Sequence, residues 1–396
     1  MCQHTPSHSH HHGHAVHAHS TRRDFFSQLF GGALAGASVL ELGFFRAALA
    51  RAQAPAASTQ LFDIEKVADG VYLAVARAQA TINSNAAIFV QSQDVLVVDS
   101  HSKPSAAASL VAQIKKEVTP KPVRYVVNSH FHWDHVQGNA AYRAGGGRVD
   151  FVASEPTKDM MQKEVRARIK VQVEQTLPAQ IADLRARMGK ATSAAERSFC
   201  QDQIRQMESY IAEMAKFQLE LPTITFAKSH VIKDPAHELH IEFHGRAHTP
   251  GDVVVFCPQK RVAATGDMIH GFLPFIDDGY PRLWPKTIDT VGQLAFDKIL
   301  PGHGPLHPNK ERMVNMRNYI EELTARVTDG KKAGRSLAEL QKTITVASLK
   351  SLQSNGYAQY LAANLYKYFP NFGPAAPLQN DVNLNIAATY QNLDRA

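Results

Sequence analysis

The sequence predicts an α/β protein of two similar halves, each pairing strands with helices, whose sheets pack together. Three observations carry this. Short β-rich runs fall in two blocks, residues 61–128 and 224–267, and each block is tied to segments of helical spacing. Between them, residues 155–218 are rich in Glu, Gln, Arg, Lys, Met and Ala and nearly free of glycine, a helix-forming composition. The order strand, helix, strand, helix contains no short-period repeat and no separate linker.

In the first block VYLAVA, AAIFVQ and VLVVDS read as strands, with turn residues at Asn83-Ser84-Asn85 and Gln91 to Asp94 between them. Ser105 to Val118 has helical spacing, with Leu110, Val111 and Ile114 on one face. VRYVVN, Val123 to Asn128, is an apolar run of the kind found in strands buried on both faces. Residues 155–218 predict two or three amphipathic helices forming an insertion or cap, broken at Leu177-Pro178 and Gly189-Lys190; a sustained heptad pattern is missing. ITFAKSHVI, HELHIEFHG, DVVVFCP and RVAATGD return to strand character, and a loop rich in Pro, Gly and aromatics runs to Pro285. Helices are expected over 286–298, 308–328, 336–345 and 357–368, with a polar tail after Pro377.

The 396 residues, 44% hydrophobic and 20% charged, have ordinary globular composition. Of the net charge of +7, the first 54 residues carry +2, and no Lys/Arg cluster accompanies the rest. That argues against a nucleic-acid or acidic-membrane partner. Cys2, Cys200 and Cys257 make no disulfide framework, and the last two read as free, buried thiols.

Residues 1–54 read as an export address. STRRDFF is followed by an uncharged apolar run from Phe25 to Leu40, then by Ala48-Leu49-Ala50 and Ala52-Gln53-Ala54. Basic region, apolar region and small-x-small site are the parts of a secretory signal. The run falls short of the ~20 apolar residues that span a bilayer, so no stable membrane anchor is expected. Arg22-Arg23 resemble the twin-arginine signal, and the mature chain is expected to start near residue 51 or 55 in a bacterial periplasm. The preceding HSHHHGHAVHAH, His8 to His19, is assigned no catalytic role.

The chemistry is concentrated in NSHFHWDH, Asn128 to His135. In extended backbone, residues two apart point the same way, so His130 and His132 can reach one metal ion. Asp134 and His135 can turn away toward a second. Three further places complete the count: His248 in GRAHTPGD, Asp267 at the end of ATGD, and His303 in PGHG, each at a turn or strand end. Asp99, closing VLVVDS, is either a partner of a ligating histidine or a strand-end cap. His270 and Trp284 are candidates for the pocket, the latter with Phe272, Phe275 and Tyr280 as an apolar wall or as core. Trp133 is expected to pack around the cluster, and His240 and His244 to be solvated.

His130-x-His132-x-Asp134-His135, then His248, Asp267 and His303, resembles the metallo-β-lactamase superfamily over residues 61–310. The resemblance implies a four-layer αββα sandwich at 55–330, with 155–218 inserted and 331–396 as a C-terminal helical extension. It implies His130, His132 and His248 on a first metal, Asp134, His135 and His303 on a second, and Asp267 bridging. The metals implied are two zinc ions, or other divalent ions, supplying hydroxide at neutral pH, with Asp134 as the catalytic carboxylate that orients it. The expected activity is hydrolysis of a small ester, lactone, thioester or β-lactam, with a phosphotriester or phosphodiester hydrolase or a non-catalytic metal-binding protein as alternatives. An aspartate at 267 is closer to glyoxalase II, lactonase and phosphotriesterase members than to true β-lactamases. The 113 residues from His135 to His248 exceed the usual family spacing, which the helical segment explains. Oligomeric state is not readable from the sequence.

Overall fold

The computed structural model describes residues 60–77, 84–144, 147–368 and 378–395. The expected signal, its cleavage site, the histidine tract, Cys2 and Asn83 lie outside them.

Strands β1 (Phe62–Ala68), β2 (Val71–Ala76), β3 (Ala86–Val90), β4 (Val95–Val98), β5 (Val123–Val127), β6 (Asp150–Ser154) and β7 (Ile224–Phe226) form one sheet in sequence order. Its first four strands are antiparallel neighbours, and β4 to β7 run parallel. Strands β8 (Ser229–Ile232), β9 (Leu239–Glu242), β10 (Val254–Cys257), β11 (Val262–Gly266) and β12 (Lys298–Pro301) form the second, in the order β12-β11-β10-β9-β8.

Side-chain alternation builds the layers. Phe89, Leu96, Val98 and Val127 from the first sheet meet Ile241, Val255, Cys257 and Leu300 from the second in one buried cluster. The residues between them face outward. Ile88, Val95, Val97 and Val126 pack under helix α1 (Pro104–Glu117) through Leu110 and Ile114. Val254, Phe256 and Ile299 pack under the C-terminal helices. Both sheets are thus covered on both faces at their centres, giving the four-layer αββα sandwich, and this is why inner strands such as β4, β10 and β11 are buried throughout and read as apolar runs.

Two short helical turns, α2 (Trp133–Val136) and α3 (Asn139–Arg143), follow β5. The insertion then runs as one helix, α4, over residues 155–190, and returns as α5 (Ala194–Met214). The break at Gly189-Lys190 is present, and Ser193 caps α5 through the Glu196 N–H. The break at Leu177-Pro178 is not: Thr176 and Leu177 keep right-handed helical backbone, and the π-helical turn Gln172–Thr176 directly before Pro178 opens the ladder where its missing N–H would bond. Insertion residues Met161, Val165, Ile169, Leu177, Ile181, Ile204, Met207 and Met214 bury against Phe131 and Val136 of the histidine motif. Tyr210 Oη donates to Gln137 Oε1 at 2.7 Å and its ring meets Trp133 edge-on, so Trp133 packs the insertion onto the motif.

The C-terminal helices are α6 (Trp284–Gly292), α7 (Glu311–Lys332), α8 (Leu337–Thr343), α9 (Lys350–Gln353), α10 (Tyr357–Tyr368) and α11 (Leu378–Asn392). The last replaces the expected polar tail. Its sequence reads as polar because its amphipathic stripe is weak, yet Val382, Ile386 and Ala388 bury against α7 and α8 in the cluster that covers the second sheet. Among the described residues no helix is long and apolar enough to cross a membrane. Cys200 and Cys257 are free and buried.

Candidate metal centre

The sandwich opens at one edge, where β5, β11, β12 and the turn between β9 and β10 end together, and all seven sequence-identified side chains meet there. Backbone after β5 bends through Ser129, His130 and Phe131, and His132, extended at φ −63, ψ 150, leads into α2. His130 and His132 still come together, their rings 4.7 Å apart, while Asp134 and His135 stand on the helical turn. Three sets of potential ligand atoms each lie within 4.8 Å of one another: His130/His132/His248, His130/His135/Asp267 and Asp134/His135/His303.

Asp267 stands between them. Its Oδ2 is 3.7 Å from His248 Nε2, 4.0 Å from His130 Nε2 and 3.4 Å from His303 Nε2, and its Oδ1 is 3.5 Å from His135 Nε2. His130, His135 and His248 are fully buried, whereas Asp134, Asp267 and His303 keep 7–9% of their surface exposed. The cluster is therefore reached from the Asp134–His303 side.

The surrounding bonds fix which nitrogens face inward. His135 Nδ1 donates to Asp99 Oδ2 at 2.7 Å. Ser129 Oγ donates to the same carboxylate and so accepts from His130 Nδ1. His248 Nδ1 donates to the Phe275 carbonyl at 3.0 Å, and His132 Nε2 to Asp278 Oδ2 at 2.8 Å. With those protons committed, His248 Nε2 and His132 Nδ1 face each other at 2.9 Å as two lone pairs. His130 Nε2, His135 Nε2 and Asp267 Oδ1 are buried without a hydrogen-bond partner among the described residues. Lone pairs converging in a dry site repel unless a cation lies between them, so the donor set fits a metal.

Charge balance agrees. Burial and the facing imidazoles hold His130 and His248 well below the usual histidine range, leaving them neutral as ligands. Burial also opposes charge on His135 and His303, but Asp267, with Asp99 and Asp134, outweighs it, raising His135 well above its ordinary value and His303 to about 9. Burial works against ionised Asp134 and Asp267 too, and His135 and His303 nevertheless hold both carboxyls below the carboxylate range.

Asp99 is a partner of the cluster rather than a simple strand-end cap. It sits in left-handed backbone (φ 70), accepts from Ser129 N–H and Oγ and from His135, and is 2% exposed. His270 lines the cluster, its ring 6.2 Å from His303 and 6.5 Å from His248, and burial pushes its pKa down to about 4. Trp284 does not form a substrate wall. It is fully buried in the second-sheet core, donates Nε1–H to the Met268 carbonyl and backs the His248 ring at 5.5 Å, because the α6 face that carries it turns inward. Phe272 is buried beside His270, and Phe275 packs edge-on to His132 and His248. His240 and His244 are half-buried and pair with Glu238 and Glu242 rather than standing in solvent.

Two glycines let the ligands approach. A Cβ on Gly302 would stand 2.1 Å from Asp267 Oδ1, and one on Gly266 (φ +53) 2.3 Å from Ser129 Oγ. Asn85 ties the first sheet to the His303 loop through the Pro301 and Gly304 carbonyls. Asp278 and Arg168 escaped the sequence reading: Arg168 Nη1 and Nη2 bind Asp278 Oδ2 and Oδ1 at 2.6 and 2.9 Å across 110 residues of chain. Asp278 lies in FIDDGY and Arg168 in a charged helix, and neither stretch carries a spacing that marks them.

Residues 81–303 match the family model of the metallo-beta-lactamase superfamily, more than half of the chain. The chain belongs to that superfamily. It is accordingly a hydrolase of metallo-β-lactamase fold. A linear primary-alkylsulfatase from Pseudomonas sp. (strain ATCC 19151) is 21% identical over 256 residues, 60% of this chain and 44% of the relative, so the chain spans less than half of that protein. A metallo-beta-lactamase from Pontibacter korlensis covers 66% of this chain and 99% of its own at 17% identity and a TM-score of 0.48. One from Hirschia baltica covers 66% and 97% at 18% identity and a TM-score of 0.46.

Proposed function

We propose that this superfamily member is an exported, binuclear metal hydrolase of a small ester, lactone, thioester or β-lactam. The observation that carries the reading is the placement of Asp267 between His130/His132/His248 and Asp134/His135/His303, with His130 Nε2 on one side and His135 Nε2 on the other buried without a hydrogen-bond partner among the described residues. Two divalent ions, zinc foremost, would supply Lewis acidity and lower the pKa of water enough to make a nucleophile near pH 7.

The chain's own residues do the rest. Asp99 and Ser129 lock His135 and His130 in the tautomers that present Nε2 inward. Asp134, ionised at the accessible rim with Oδ2 3.1 Å from His303 Nε2, takes a proton from water and passes it to the leaving group. His270 stands beside His303 and His248 as a neutral imidazole whose Nδ1 accepts from the Phe272 N–H.

Metal analysis of the purified protein combined with a hydrolase panel tests this. Two equivalents of metal and turnover of one substrate class are expected, with Asp134→Ala and His132→Ala inactive yet folded. A metal-free protein, or unchanged turnover in either variant, overturns the mechanism. Silence of the metal-loaded protein across the panel favours the non-catalytic metal-binding alternative. Because the alkylsulfatase relative acts, by its name, on linear primary alkyl sulfates, sulfate esters belong in the panel beside phosphotriesters and phosphodiesters. Export rests on Arg22-Arg23 and the apolar run behind them, and retention of Arg22→Lys/Arg23→Lys in the cytoplasm is its test.

A further inference from the structure

One arginine of the insertion reaches the metal cluster. Arg168 lies on the short α-helical stretch Arg166–Val171, between π-helical turns at Met161–Val165 and Gln172–Thr176. Each π turn adds a residue and re-phases the helix face, and such turns gather at functional sites. The phasing lets one stretch do two jobs. Ile169 buries beside Phe131 and Val136 under the insertion, while the Arg168 guanidinium lies 4.9 Å over the ring of Phe131, the residue between His130 and His132. The same guanidinium grips both oxygens of Asp278, whose Oδ2 accepts from His132 Nε2. Arg168 thus touches the histidine motif through Phe131 and, by way of Asp278, through His132.

The fork geometry matters. Asp278 sits on the loop after β11, and one carboxylate oxygen bonding one histidine would leave it free to rotate. A planar guanidinium bound to both oxygens removes that freedom. An aimed Asp278 keeps the proton on His132 Nε2 and the lone pair of Nδ1 toward His248 Nε2, 2.9 Å away.

We propose that Arg168, carried by the insertion, is a positioning residue for the His130/His132/His248 site: by clamping Asp278 it fixes the tautomer and ring orientation of His132, so that docking of the insertion sets the affinity of that site for its metal. The inference rests on the metal-centre reading above. It also makes the linkage reciprocal, so metal held by His132 tightens the insertion on the sandwich.

The test uses the full mature chain with zinc, reading stoichiometry and both dissociation constants by chelator competition, the visible spectrum of the cobalt-substituted protein, and protease cleavage of the insertion with and without zinc. Arg168→Met should weaken one of the two zinc sites by about 10–100-fold and alter the cobalt spectrum. It should also abolish the protection that zinc gives the insertion. Arg168→Lys, which restores charge without the fork, should recover part of the affinity. Glu164→Gln, which removes only the charge of the carboxylate 3.3 Å from Arg168 Nε and leaves the Asp278 clamp intact, should match the parent. Parent-like zinc affinity and cobalt spectrum in Arg168→Met overturn the proposal. Equal loss in the Lys and Met variants, tracking a fall in the melting temperature of the metal-free protein, also overturns it by making Arg168 merely structural. A parent protein that binds no zinc sinks the metal-centre reading itself, a different result from two tight sites that ignore Arg168.

Discussion

Replacing Gly302 by alanine tests the geometry of the cluster with one methyl group. Gly302 precedes His303, and its backbone is pinned on both sides: its N–H donates to the Gly266 carbonyl at 2.9 Å, and its carbonyl accepts from Asn85 N–H at 2.7 Å. A Cβ there would lie 2.1 Å from Asp267 Oδ1, against the 3.4 Å at which ordinary contact begins, so the carboxylate must retreat by about 1.3 Å. The pinned backbone has little room to give, since Gly266 C is also only 2.8 Å from that Cβ. Among the described residues Asp267 is the one carboxylate within 4 Å of His130, His135, His248 and His303 together, so its retreat loosens both halves of the site. A displacement of about 1 Å in a reacting constellation costs about 10²-fold in rate, or ~2.7 kcal/mol of transition-state stabilisation. Gly302→Ala should therefore bind zinc more weakly in chelator competition and lose about two orders of magnitude in kcat/KM on the best substrate of the panel, with an unchanged far-UV circular dichroism spectrum. Parent-like zinc affinity and turnover would show that Asp267 is not a shared ligand.

Asp99→Asn should weaken the zinc site that includes His135 by about 10–100-fold, because the amide can place a donor against the His135 Nδ1–H; chelator competition reads it, and an unchanged constant refutes the role. Leu96→Ala, in the core between the sheets, should cost about 2–5 kcal/mol in urea denaturation, and a loss under 1 kcal/mol would contradict that packing. His307 gives a pH signature: burial, then His270 and Arg312, lowers its pKa to about 3, so the fold keeps it neutral while the unfolded chain takes a proton below about 6.5. Its contribution is complete above pH 6.5 and is lost as pH falls, by about 2 kcal/mol at pH 5. His307→Leu should flatten the stability profile between pH 7 and 5 by that amount, and an unaltered slope would show that His307 is not held neutral.

Much of this protein was written locally. The density of the histidine motif and the glycines beside His303 are short-range features, so the seven residues that could hold metal stood out in the sequence, although the motif bends at Ser129–Phe131 instead of running extended through His130. The apolar strand runs and the Gly189 turn of the insertion were equally local. Where local signals competed they misled: Pro178 reads as a break but is accommodated behind a π-helical turn, and α11 reads as polar because only a narrow face of it meets α7.

The sequence by itself determined the two-sheet architecture and the set of candidate ligands, since strand alternation, turn chemistry and motif spacing are properties of neighbouring residues. Only the tertiary structure decided which nitrogen of each histidine faces inward, that Asp99 serves His135, that Trp284 backs His248 from the core, and that an arginine of the insertion grips the carboxylate behind His132. Those are contacts between side chains up to 146 residues apart. Their partners are chosen when the whole chain buries its apolar surface, and no local pattern encodes that choice.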